Sequence, residues 1–155
     1  RRRDPRHRVS AFPPVEPEPG STARFVVHEH YATTHHFDLR LEGAGVLWSW
    51  ALPKGLPAHP KLNRLAVRVA DPDLDHIDFE DPTPVPGVDG AVAKSIWDAG
   101  TYEVLRSSPT KLVVDLGGRR GRGRFALIHT GDDNWLVHLM APAETADPPP
   151  TAGRT

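Results

Sequence analysis

The chain contains 155 residues, of which 38% are hydrophobic, 25% are charged and 17 are proline. This length is typical of one domain, and the proline content excludes a protein built from long helices. The formal net charge of −1 excludes a uniformly basic nucleic-acid-binding protein but is compatible with a local basic groove. The absence of cysteine excludes disulfides and thiolate metal sites.

The order of segments along the chain predicts a β domain between two polar tails. Residues 1–21 are predicted to be a flexible tail, because arginines crowd the start and prolines follow. From residue 22 onwards, short segments of period two alternate with Gly, Pro and Asp, which is typical of strands joined by turns. We expect strands at 24–27, 36–42, 46–52, 65–69, 93–97, 101–105, 111–116, 124–129 and 134–139, with turns at 30–36 and 98–100. Residues 22–141 should therefore form a mainly β domain, an antiparallel barrel or sandwich, and the Pro-rich residues 142–155 a disordered tail.

No apolar run approaches the roughly 18 residues that a membrane span requires. We therefore expect a soluble, cytoplasmic protein with no membrane partner. The tryptophans at 48, 50, 97 and 135 are expected to pack in the core or at its rim. The basic turn at 119–124 fits either a nucleic-acid backbone or an exposed Arg/Gly hairpin.

The segment 36–42 carries the residues most suited to chemistry. His36 and Asp38 share one strand face, because side chains two positions apart point the same way. One imidazole and one carboxylate supply two ligands for a divalent cation, and His30 is placed to fold back as the third. A His/His/Asp set without sulfur suits Mn²⁺, Fe²⁺ or Zn²⁺. Arg40 follows on the same face, and a metal beside an arginine fork is suited to phosphoester hydrolysis.

Two other interpretations of this segment stay open from the residues alone. Alternating polar side chains are typical of any half-exposed strand, and Arg40 with Glu42 would then form a solvated ion pair of little energetic value. His28 and His35 flank the proposed ligands, and either imidazole is an alternative to them.

Further motifs follow the metal segment in a fixed order over residues 24–140. They are Phe25-Val26-Val27-x-x-His30, His36-Phe37-Asp38-Leu39-Arg40-Leu41-Glu42, Gly45-Val46-Leu47-x-Ser49-Trp50-Ala51-Leu52-Pro53-Lys54-Gly55, Arg64-Leu65-Ala66-Val67, Leu74-Asp75-x-x-Asp78-Phe79-Glu80, Ile96-Trp97-Asp98-x-Gly100 and Asn134-Trp135-Leu136. This set resembles the 3′-phosphoesterase domain of bacterial DNA ligase D. The resemblance implies a compact antiparallel β-barrel and a Mn²⁺-dependent enzyme, with Zn²⁺ or Co²⁺ as other possible cations. It further implies removal of a 3′-terminal ribonucleotide or a 3′-phosphate during end joining.

The resemblance also implies roles for individual residues. By position, the metal ligands are His30, His36 and Asp38, while the residues that engage the scissile phosphate are Arg40, Lys54 and Arg64. This chain departs from the family at Pro72, where the family has a phosphate-contacting histidine and proline offers no donor. His76 occupies a position where the family usually has tyrosine, so we expect His76 at the rim of the metal pocket as a hydrogen-bond donor or general acid.

The leading prediction is a metal-dependent 3′-phosphoesterase that heals 3′ ends of DNA or of RNA/DNA primer-templates. The chain lacks room for polymerase and ligase domains, so we expect a stand-alone form acting beside a repair ligase, a polymerase or an end-binding protein. An alternative from another class is a catalytically weakened nucleic-acid-binding module that recruits a repair ligase, which the loss of histidine at Pro72 favours. A small-molecule metalloenzyme of β-barrel type fits the His/His/Asp set but not the wider motifs.

Overall fold

A computed structural model describes Gly20 and residues 22–142 of the chain. The predicted tails at 1–21 and 142–155 therefore lie almost entirely outside the described residues. The strands are β1 (Thr22–Tyr31), β2 (His35–Gly43), β3 (Val46–Leu52), β4 (Arg64–Val69), β5 (Asp81–Pro84), β6 (Val92–Ser108), β7 (Lys111–Gly117), β8 (Arg122–Gly131) and β9 (Asn134–Leu139). A short 3₁₀ helix spans Leu74–Asp78. No helix among the described residues is long and apolar enough to cross a membrane.

The strands close into an antiparallel barrel, which confirms the predicted fold class. The sheet order is β1-β2-β3-β4-β9-β8-β7-β6, and β6 pairs back onto β1 to complete a ring of eight strands. β5 adds to β6 outside this ring. β6 is 17 residues long, so different parts of it pair with β1, β5 and β7. Closure removes the exposed edges that an open sheet of this size would present.

The barrel interior is filled by the apolar members of each alternating strand. On β2 the inward residues are Leu39 and Leu41, and they join a core that contains Trp48 and Trp50. The ring of Trp50 meets that of Trp135 edge to face at 5.8 Å between centroids. The expectation that the tryptophans pack in the core or at its rim is therefore confirmed, since the fourth, at position 97, packs partly buried against this core.

The segment after β4 folds over the outer side of the barrel and contacts β3 and β1 on either side of β2. The Leu47 amide donates to the Pro72 carbonyl at 2.9 Å, and Val46 forms an isolated bridge with Asp73. The sequence predicts no strand in this wall, residues 70–80, where five of the eleven residues are acidic. The wall turns a polar strand face into a buried one.

Two predicted turns are wrong in extent. Residues 98–100 do not turn, because Asp98, Ala99 and Gly100 pair with β1 and continue β6. Gly100 is required there by a close approach rather than by a turn, since a Cβ atom would lie 2.7 Å from the Gly117 carbonyl oxygen. The predicted loop at 30–36 is confined to residues 32–34, because both ends already belong to strands.

Candidate metal centre and anion-binding cavity

Three predicted ligands converge on the outer face of β1 and β2. His30 and His36 are Cα partners across the two strands, and Asp38 lies two residues further along β2. His30 Nδ1 lies 3.5 Å from Asp38 Oδ2, and His36 Nε2 lies 3.2 Å from Asp38 Oδ1. One ligand atom from each of the three side chains lies within 4.8 Å of the others. The strand spacing seen in the sequence therefore produces a metal-sized cluster.

The orientation of His36 suits a metal ligand. Its Nδ1–H donates to the Thr34 carbonyl at 3.0 Å, which leaves the Nε2 lone pair facing Asp38. A histidine ligand ordinarily donates its second ring N–H to a carbonyl or carboxylate in this way. Asp38 is only 3% exposed, so its oxygens are shielded from bulk water. Two nitrogens and a carboxylate form a donor set that fits a borderline or hard divalent cation.

Arg40 extends this cluster along the same strand face. Its Nη2 lies 3.4 Å from Asp38 Oδ2, and its Nη1 donates to the Ser49 hydroxyl at 2.7 Å. Burial lowers the pKa of Arg40 but Asp38 opposes this shift, and an arginine remains charged in proteins. The structure thus holds a guanidinium in one orientation beside the metal ligands.

His28 lies on the same face as His30, but it is not part of the candidate metal cluster. It holds Arg40 in position instead. It is fully buried, and its Nε2–H donates to the Phe79 carbonyl at 2.9 Å. Its Nδ1 consequently accepts from Arg40 Nε at 3.3 Å. Burial and the neighbouring Arg40 lower the pKa of His28 to about 4, so this imidazole is neutral at pH 7.

The structure decides the alternatives left open by the sequence. The proposed surface ion pair of Arg40 and Glu42 is wrong, because Glu42 Oε2 accepts from Arg24 Nη2 at 3.0 Å. His35 is not part of the cluster either, since its ring stacks on Tyr31 with centroids 4.1 Å apart.

A cavity of about 640 Å³ opens beside Arg40. Its wall consists of Arg40, Ala70, Asp71, Pro72, Asp73, Asp75, His76 and Lys94. His76 contacts two rings and a cation: it stacks on Phe79 at 4.9 Å and meets His28 edge to face at 5.4 Å, and its Nε2 lies 3.3 Å from Lys94 Nζ. Burial, together with Arg40 and Lys94, lowers the pKa of His76. His76 lines this cavity together with Arg40, and its expected role at the rim of a metal pocket stays a prediction.

Lys54 and Arg64 are not brought into this cavity. Lys54 is exposed in the turn after β3, and Arg64 is the first residue of β4, where it pairs with Val137 on β9. Arg64 Nε is buried without a hydrogen-bond partner in the described part of the chain. Neither residue lines the cavity beside Arg40, so their assignment to the phosphate stays a prediction from the resemblance.

Sequence reasoning missed Lys94 and the Arg68–Asp71 pair. Lys94 reaches the site only because β6 closes onto β1, which makes Lys94 the Cα partner of His30. Arg68 Nη1 donates to Asp71 Oδ1 at 2.7 Å, and Asp71 Oδ1 also accepts from the Ser49 amide at 3.0 Å. The short spacing of Arg68 and Asp71 was a visible signal for their pairing, but no local pattern pairs positions 30 and 94.

The comparison with known proteins agrees with this geometry. A family profile described as the DNA Ligase D 3′-phosphoesterase domain matches residues 28–129. A "Multifunctional non-homologous end joining DNA repair protein LigD" from Mycobacterium tuberculosis is 42% identical over 144 residues, which is 90% of this chain and 19% of the relative. The corresponding protein of Mycolicibacterium smegmatis is 38% identical over 157 residues, 94% of this chain and 20% of the relative.

A third relative, the LigD protein of Pseudomonas aeruginosa, is 42% identical over 112 residues, which is 69% of this chain and 13% of the relative. The chain spans about a fifth or less of the length of these curated relatives. The matched residues contain the three clustered ligands, Arg40 and the cavity wall. The chain belongs to the DNA ligase D 3′-phosphoesterase domain family.

Proposed function

We propose that this chain is a metal-dependent 3′-phosphoesterase that heals 3′ ends of DNA or RNA/DNA primers for end-joining repair. The observation that carries the proposal is the convergence of His30, His36 and Asp38 with Arg40, whose Nη2 lies 3.4 Å from Asp38 Oδ2. Metal ligands beside a fixed guanidinium suit phosphoryl chemistry, because both cations stabilise the charge on the reacting phosphate. Proposed partners are 3′ ends of nucleic acid, and with them a repair ligase, polymerase or end-binding protein.

The three clustered side chains would hold Mn²⁺, with Zn²⁺ or Co²⁺ as competitors for the same donors. A bound divalent cation would polarise a phosphoryl oxygen and lower the pKa of a water. Arg40 would hold two oxygens of the scissile phosphate with its planar fork. Its hydrogen bonds to Ser49 and His28 fix the guanidinium before substrate arrives, so little reorganisation accompanies binding. Lys54 and Arg64 are proposed to contact the phosphate once a substrate bridges them to Arg40.

His76 is proposed to donate a hydrogen bond to a phosphate oxygen. Because its Nε2 accepts from Lys94, the imidazole carries its proton on Nδ1. Burial, Arg40 and Lys94 lower the pKa of His76, which favours the neutral imidazole as the donor. Pro72 lines the same cavity and offers no side-chain donor. This feature is the reason to keep the weakened binding module as the second candidate.

The test is an incubation of the protein with Mn²⁺ and a primer-template that ends in one 3′ ribonucleotide. We expect the wild type to shorten the primer, His36→Ala to leave it intact, and the wild type to lose activity when a chelator removes the metal. His59→Ala is the matched control, because His59 is exposed outside the cavity and contacts the Lys61 amide. Binding of the primer without any shortening would contradict the enzyme and favour the binding module.

A further inference from the structure

Lys94 brings a second cation to the cavity that Arg40 lines. Lys94 on β6 is the Cα partner of His30 on β1, which places it next to the candidate metal cluster. Its Nζ lies 3.3 Å from His76 Nε2 and 5.6 Å from the centroid of the Phe79 ring. Arg40 and Lys94 therefore border one cavity next to the cluster of His30, His36 and Asp38.

No carboxylate of the described residues forms a salt bridge with Lys94. Its Cα partner on β5, Asp81, instead accepts from the Thr83 amide at 3.1 Å and from the Thr83 hydroxyl at 2.7 Å. Asp71 in the cavity wall is held by two hydrogen bonds from Arg68, at 2.7 and 3.1 Å. Asp38 and Asp81 attract Lys94 through space, but neither lies within salt-bridge distance, so the ammonium keeps N–H donors for a ligand.

The burial of the charged groups favours an anion inside the cavity. Asp73 and Asp75 also line the wall, but both are exposed to solvent. Arg40 is buried and Lys94 is half-buried, and the half-buried Asp71 is paired with Arg68, so the less exposed charges of the wall have a net positive sign. Charges interact more strongly where water is excluded, so the less exposed cations dominate the field on a bound group. The Lys94 ammonium has three N–H donors, and His76 takes one of them.

We infer that Lys94 and Arg40 form a site for a phosphate dianion, and that Lys94 selects 3′-phosphomonoester ends over internal or ribonucleotide-linked diesters. A terminal phosphate carries a charge between about −1.5 and −2 at pH 7, whereas a phosphodiester carries a single negative charge. The second cation therefore stabilises the monoester more than the diester. This inference rests on the proposed phosphoesterase function and adds a substrate preference to it.

The test compares two ends on otherwise identical primer-templates with the full chain and Mn²⁺. Lys94→Met removes the charge and keeps the chain length, and we expect kcat/KM for the 3′-phosphate end to fall roughly 10- to 100-fold, the range for losing a hydrogen bond to a charged group. The rate for the 3′-ribonucleotide end should change much less, and Lys94→Arg should retain most activity on both ends. Lys111→Met, at an exposed lysine on β7, should change neither rate.

An equal loss on both ends, or no loss on the phosphate end, would overturn the inference. A wild type that cleaves only the ribonucleotide end would overturn it as well. If the wild type cleaves neither end, the proposed function fails, and calorimetric titration of the Mn²⁺-treated proteins with inorganic phosphate then tests the site directly. Weaker phosphate binding by Lys94→Met at an unchanged melting temperature supports the anion site, and equal affinities refute it.

Discussion

Two buried aspartates of this barrel, Asp38 and Asp98, have opposite surroundings. Asp38 is 3% exposed, and its described polar neighbours are the side chains of His30, His36 and Arg40. Asp98 is 7% exposed, and its carboxylate accepts three backbone N–H groups from the loop between β7 and β8. Asp38 faces side chains that could bind a metal together with it, whereas Asp98 holds a backbone loop in place.

Asp98 fixes the basic loop at residues 118–121. Its oxygens accept from the amides of Arg119 at 3.1 Å, Arg120 at 2.9 Å and Gly121 at 2.6 Å. The loop approaches so closely that a Cβ atom on Gly118 would lie 2.1 Å from Asp98 Oδ2. The Arg120 guanidinium lies over the neighbouring Trp97 ring, 5.0 Å from its centroid. The basic turn seen in the sequence is therefore an ordered loop that the Asp98 carboxylate holds in place.

The difference shows that burial and a motif match do not by themselves identify a functional carboxylate. Both aspartates stand in motifs by which the chain resembles its family. The three loop N–H groups that donate to Asp98 use most of its acceptor sites and turn their positive ends towards it, which disfavours a cation there. Side-chain neighbours such as His30 and His36 leave the lone pairs of Asp38 available to a metal.

The largest expected effect is on metal binding by Asp38→Asn. We expect Mn²⁺ affinity to fall by more than the roughly 10- to 100-fold typical of an outer-shell change, because a ligand itself is lost. Isothermal titration calorimetry measures this affinity. Asp98→Asn should bind Mn²⁺ like the wild type, and equal losses in the two variants would remove the distinction between the two aspartates.

The next effect is on turnover by Arg40→Lys. A point charge cannot reproduce the bidentate contact of the guanidinium, so we expect kcat/KM on a 3′-ribonucleotide primer to fall roughly 10- to 100-fold. Arg106→Lys provides the control, because Arg106 is exposed on β6 away from the cavity. Normal turnover in Arg40→Lys would show that Arg40 is peripheral to the reaction.

A smaller effect is expected on stability from Asp98→Asn. The side-chain NH₂ of the new asparagine is a donor and faces backbone N–H groups, so at least one of these N–H groups loses its acceptor. This loss should lower the free energy of unfolding by about 1–3 kcal/mol. Urea denaturation measures the difference. Asp115→Asn, which breaks the partly exposed pair with Arg124, should cost about 0–1 kcal/mol. Similar losses in the two variants would mean that Asp98 does not anchor the loop.

The smallest expected effect is the change in the Asp98 contribution to stability as the pH falls. Burial would raise the pKa of Asp98, but the hydrogen bonds from Gly121, Arg120 and Arg119 outweigh it and lower the pKa below the ordinary value of 3.8. The unfolded state therefore binds the proton more readily than the folded state. The contribution of Asp98 to the free energy of unfolding is complete above the ordinary pKa, and it is lost as the pH falls through the lowered pKa of the folded state. The stability gap between wild type and Asp98→Asn should narrow in acid. A gap that widens below pH 4 would contradict this sign.

The amino-acid sequence alone determined which residues of a strand share a face. Period two on β2 placed Leu39 and Leu41 in the core and His36, Asp38 and Arg40 opposite, because successive side chains of an extended backbone alternate whatever the strand pairs with. Turn residues at regular spacing likewise predicted an antiparallel β fold, and the structure closed it into a barrel. These features follow from local geometry, which a sequence displays directly.

Only the tertiary structure decided which residues pack against those strand faces. The closure of β6 onto β1 aligned Lys94 with His30 and continued a strand through the turn expected at 98–100. The wall at 70–80 buried His28, gave it the Phe79 carbonyl as a partner and so directed its ring to Arg40 instead of a metal. The register of strands distant in sequence is set by the packing of the whole core, so no local pattern contains it.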